Sequence, residues 1–123
     1  EHISYNFLPK IMMTMDILTI PYTRKINSAG GVDDISHYTS PLKLFDYMAV
    51  GKIIISSNLK VLREVIGKRN AYFVNNFENV FEWKKKIHIV KNNRNKNLIM
   101  SKNNLILKKK FNHIKRVETY LWF

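Results

Sequence analysis

The chain has 123 residues and a mass of 14.6 kDa, 46% of it apolar and 12% aromatic, enough for one ordinary core and too apolar for a disordered tail. Zero cysteines exclude a disulfide framework or a thiolate zinc site, and four histidines without an H-x-x-x-H spacing offer a metal little to grip. A formal charge of +12 would imply an anionic partner if it were spread over the surface, so its distribution matters.

Taken in chain order, Phe7, Leu8, Ile11, Met12 and Met15 recur at spacings of three and four, which predicts a helix with Pro9 in its first turn. The run Ile17-Leu18-Thr19-Ile20, closed by Pro21, reads as a buried strand. Residues 22–39 hold Gly30-Gly31 and Asp33-Asp34 without periodicity and read as a long loop. Ser40 as cap and Pro41 behind it open the clearest helix, with Leu42, Phe45, Met48 and Ala49 on one face and Gly51 as its stop. Ile53-Ile54-Ile55 is a second strand, Leu59 to Ile66 a short helix ended by Gly67, and Ala71-Tyr72-Phe73-Val74 a third strand. Two helices finish the chain, over 78–90 and 96–120, and Trp83 reads as a core or interface residue. The order αβαβαβαα is that of a parallel sheet with crossover helices. Three strands are fewer than a doubly wound domain usually has, and the start Glu1-His2-Ile3-Ser4 resembles neither a signal peptide nor an initiator. The expectation is therefore a single unit over 1–123 forming part of a larger α/β domain.

The charge is not evenly spread. Residues 1–83 carry nine basic and eight acidic side chains, whereas residues 84–123 carry twelve basic side chains and only Glu118. One reading is a peripheral contact with an acidic membrane through residues 84–116. The other is solvated helix faces in a chain rich in Lys, Ile and Asn, residues with A- and T-rich codons. Nucleic acid is the weakest partner, because no aromatic-interleaved binding pattern or helix-turn-helix accompanies the charge. No apolar run approaches the ~20 residues of a bilayer span, and the expected location is cytoplasmic, at most peripheral to the inner membrane face.

In an open parallel sheet, ligands collect at the carboxyl ends of the strands, where helices present free N–H groups and the positive ends of their dipoles. The turn from Ser40 to Leu44 has that character: the amides of Leu42, Lys43 and Leu44 lack intrahelical acceptors, and Lys43 adds a cation. Asp46 lies four residues past Leu42, about 6 Å further along the axis, where a carboxylate can accept from ribose hydroxyls. Diphosphate at the opening amides and ribose one turn deeper describe a nucleotide along the start of one helix.

The stretch Ser40-Pro41-Leu42-Lys43-Leu44-Phe45-Asp46-Tyr47-Met48-Ala49-Val50-Gly51, continuing through Ile53-Ile54-Ile55-Ser56-Ser57-Asn58-Leu59 to Arg63-Glu64-Val65-Ile66, resembles the donor-binding signature of glycosyltransferase family 4, S-P-x-K-x-x-E-Y-M-A-x-G-x-P-V-I-x-S-D-L followed by R-E-V-I. Met15-Asp16-Ile17-Leu18-Thr19-Ile20-Pro21-Tyr22 is similar to the strand that precedes it in that family. The resemblance covers about residues 5–75. It implies a partial Rossmann-like fold, the carboxyl-terminal lobe of a GT-B enzyme, with a three-layer α/β/α arrangement, a short parallel sheet and carboxyl-terminal helices.

It further implies a retaining transferase that moves a sugar from a nucleotide-sugar donor to a sugar, lipid-linked or protein acceptor without a resident metal or cofactor. Asp46 takes the position of the ribose-binding carboxylate, one methylene shorter than the usual Glu. Ser40, Leu42 and Lys43 take the diphosphate contacts, with Thr39 and Tyr38 completing the candidate donor set. Tyr38 stands where many members place an earlier Glu, and Ile53 and Asn58 replace the common Pro and Asp. A GT-B nucleotide-sugar epimerase would use the same half-site. A basic module binding a membrane or nucleic acid is the alternative from another class. The acceptor lobe and the basic groups facing the leaving diphosphate lie outside this stretch in the family, so the chain is expected to be inactive alone.

Overall fold

A computed structural model describes residues 6–23 and 42–110. Eight elements follow one another: α1 (Leu8–Met13), β1 (Ile17–Ile20), α2 (Leu42–Ala49), β2 (Ile53–Ser57), α3 (Lys60–Arg63), β3 (Tyr72–Val74), α4 (Val80–Lys91) and α5 (Arg94–Lys110). The sheet order is β1-β2-β3, and both pairs are parallel. Parallel neighbours need crossover connections, which α2 and α3 supply in their turn. The predicted α/β class and element order are thus present, with helices on both faces of a small parallel sheet.

Strand alternation divides the core. Ile20 and Ile54 face Leu44 and Met48 of α2 and Leu62 of α3, joined by Ile66 and Ala71. Ile53, Ile55, Tyr72 and Val74 face the other way, onto Val90 of α4 and Met100 of α5. Trp83 packs at the margin of this second cluster and donates its indole N–H to the Phe77 carbonyl at 2.8 Å. α5 also reaches around to the first cluster through Leu107, so one helix touches both cores.

Several boundaries differ from the sequence expectation, each for a local reason. β2 runs two residues past the isoleucines because Ser56 and Ser57, although polar, pair with Phe73 and Val74 and are fully buried. The Ser57 hydroxyl donates to the Tyr22 carbonyl at 2.6 Å and lies 3.2 Å from that of Ile20, so its burial is satisfied. α1 stops at Met13, where the Thr14 hydroxyl donates to the Ile11 carbonyl, leaving Met15 exposed instead of on the core face. α3 is regular only to Arg63, although turn hydrogen bonds continue to Ile66. α5 begins at Arg94, two residues earlier than expected.

At Gly51 the chain turns from α2 into β2 with φ +64, a conformation that favours glycine, and its N–H donates to the Met48 carbonyl. A second constraint acts there. A Cβ at this position would stand 3.0 Å from Cγ of Leu105, because α5 crosses directly over the turn. Close by, Asn104 is fully buried and donates its amide to the Lys52 carbonyl at 3.3 Å.

Candidate functional site

The start of α2 lies toward the carboxyl end of the sheet because the helix runs back beside the strands, its last residue leading through Gly51 into the amino end of β2. Leu44 and Met48, one turn apart, fix its inner face against Ile20 and Ile54. At about 100° per residue, Asp46 projects from the opposite side of the helix. It is half-buried, not sealed within the core, and Lys43 is exposed in the first turn. That turn contains no acidic side chain, so the positive end of the helix dipole has no carboxylate of its own there. Leu42 is the first helical residue. Ser40, Thr39 and Tyr38 lie outside the described residues, as does Pro41.

Two tyrosines join this end of the molecule. Tyr22, just past the carboxyl end of β1, and Tyr47 of α2 pack at the margin of the first core cluster. Burial holds the Tyr22 phenol above its ordinary range. Burial also raises that of Tyr47, and the neighbouring Tyr22 and the Asp46 carboxylate push in the same direction. Both phenols therefore stay protonated at neutral pH and can donate as well as accept hydrogen bonds. The Ser57 hydroxyl, bonded to the Tyr22 carbonyl, ties the ends of β1 and β2 together beneath them.

A carboxylate, two protonated phenols, an exposed ammonium and the positive end of a helix dipole can bind an anion together with a hydroxyl-rich group. Of the sequence-derived candidates, Asp46, Lys43 and Leu42 share this one helix. Tyr22, Tyr47 and Ser57 are additions from the structure. The sequence signal for Tyr22 is its place directly after the Ile20-Pro21 strand end; Ser57 looks like an ordinary loop serine until β2 is seen to include it.

Among the described residues, no three His, Asp or Glu side chains group as a metal site would require, and no helix is long and apolar enough to cross a membrane. Comparison with family models, curated proteins and solved structures gave no match for this chain. What stands is an α/β unit with a small three-stranded parallel sheet and a polar cluster at the carboxyl end of β1 and the start of α2.

Proposed function

We propose that this chain supplies part of the nucleotide-diphosphate-sugar site of a retaining GT-B glycosyltransferase and is inactive by itself. The observation that carries the reading is the position of Asp46: half-buried, one turn into a helix that starts toward the carboxyl end of a parallel sheet, within a sequence stretch resembling a donor-binding signature. In this reading the first-turn amides of α2 and Lys43 hold the diphosphate, and Asp46 accepts from the ribose hydroxyls. Tyr22 and Tyr47 offer donors beside that carboxylate. Stabilising the departing nucleotide diphosphate needs more positive charge than one helix start and one lysine supply, so transfer requires groups from the rest of the enzyme.

The test is titration of a panel of nucleoside-diphosphate sugars into the whole protein, with sugar transfer measured in parallel. Asp46→Ala is expected to weaken donor binding about ten- to hundredfold, the scale of a lost hydrogen bond to a charged group, with the melting temperature unchanged. Asp46→Glu is expected to retain binding. Donor affinity and transfer unaltered in Asp46→Ala would overturn the assignment.

A further inference from the structure

A second polar region, sharing no residue with the α2 site, lies along the outer edge of the sheet. Among the described residues β3 is the last strand, and Asn58 N–H donates to the Val74 carbonyl across the β2–β3 pair. In a parallel strand the main-chain groups of successive residues point to alternate sides, so those of Phe73 face away from β2. They face a groove of about 570 Å³, a volume suited to a small molecule. One wall comes from α3 and the Gly67-Lys68 turn, the other from α4 and α5.

Four cations from these four segments line the groove: Arg63, Lys68, Lys86 and Lys96. Among the described residues no carboxylate lines it, and the ion pair there, Lys85–Glu82, uses a different lysine. Like charges gathered this way repel unless an anion sits among them. The arrangement is also braced. The Lys96 ammonium stands 4.7 Å from the centre of the Tyr72 ring, whose hydroxyl donates to Asn97 Oδ1 at 2.8 Å. Asn97 in turn donates to the Val90 carbonyl at 2.7 Å, which locks the start of α5 to the end of α4. At the carboxyl end the side chains of Asn58 and Asn75 are joined at 2.6 Å.

We propose that this edge is a binding groove for a ligand carrying two or more phosphoryl charges, held by Arg63, Lys68, Lys86 and Lys96 with the Phe73 N–H as a main-chain donor. Phosphoryl oxygens suit the bidentate guanidinium and point-charge ammonium groups alike. Base stacking is not what the groove is built for, because Lys96 occupies a face of the Tyr72 ring.

Inorganic pyrophosphate titrated into the full chain, followed by backbone amide resonances, tests this site by site. Saturable movement of the Phe73 and Gly67 resonances is expected, and Arg63→Glu with Lys96→Glu should weaken it at least about tenfold, the scale of losing two charge-assisted contacts. The milder Arg63→Gln with Lys96→Gln, at exposed positions, should weaken it in the same direction while the fold persists. Lys102→Glu with Lys109→Glu makes the same charge change outside the groove and should leave the midpoint within about twofold, since exposed distant charges are screened.

Equal weakening by both charge-reversal pairs, or no movement at Phe73, would overturn the groove. Movement confined to Lys43 and Leu44 would do so while favouring the donor site on α2. Phosphatidic-acid vesicles that bind, and are displaced by pyrophosphate, would make the ligand a lipid headgroup. Pyrophosphate binding without vesicle binding would make it a soluble phosphorylated compound.

Discussion

The two ends of the sheet are finished differently. At the amino end of β2, α5 passes over the Gly51 turn, Leu105 fills the space where a side chain would be, and Asn104 meets the Lys52 carbonyl. At the carboxyl end Tyr22, Asp46, Tyr47, Ser57 and Asn58 bring polar groups together, and among the described residues a buried amide oxygen without a partner stands at each end, Oδ1 of Asn104 and Oδ1 of Asn58. One end is closed by packing and the other carries groups that a ligand can use. Stability and binding should therefore separate along the strand axis.

The largest expected effect breaks the closed end. Gly51→Val must place a β-branched side chain at φ +64 and against Leu105, and should cost roughly 2–4 kcal/mol in urea unfolding. Adding Leu105→Ala should return the steric share but not the backbone share, which identifies the two causes separately. Ser57→Ala is next. It removes a buried hydroxyl that satisfies the Tyr22 carbonyl, for an expected loss of about 1–2 kcal/mol. Because it loosens the carboxyl end, it should also weaken donor binding, whereas Gly51→Ala should affect stability alone.

The smallest effect is a pH dependence. The phenols of Tyr22, Tyr47 and Tyr72 are all held above their ordinary range in the folded chain, chiefly by burial. An unfolded tyrosine loses its proton near pH ~10 while the folded one keeps it, so the unfolded state gains as pH rises. The stability from these groups is complete below about pH 10 and is lost as pH climbs through the raised folded values. Tyr47→Phe should flatten that alkaline loss in urea midpoints measured at about pH 9 and about pH 11, and leave the neutral midpoint little changed.

Much of this architecture is legible before any coordinates. Leu42, Phe45, Met48 and Ala49 announce α2 and Gly51 its stop, although Leu44, not read from the pattern, joins Met48 as the buried face because it lies one turn before it. The isoleucines at 53–55 announce β2, and the element order implies parallel pairing. What escapes is polar and non-local. Ser56 and Ser57 read as the start of a loop because their burial depends on carbonyls across the sheet. The crossing of α5 leaves no periodic trace, since Met100, Asn104 and Leu107 meet different surfaces at different points along one helix. The helix proposed to hold the donor could be placed because its residues are contiguous. The groove cations could not, because Arg63, Lys68, Lys86 and Lys96 meet only where three helices and a turn flank one strand edge, and a net charge summed along the chain hides such a meeting.

One helix contributing to both cores has a consequence for cooperativity. The link between α4 and α5, at Asn92 and Asn93, is an exposed surface position where a protease could cut. Loss of the segment beyond it would remove Leu107 from one cluster and Met100 from the other in the same event. The two layers cannot melt one after the other while α5 spans them; a single sigmoidal transition, and rapid degradation after any nick there, follow from that span.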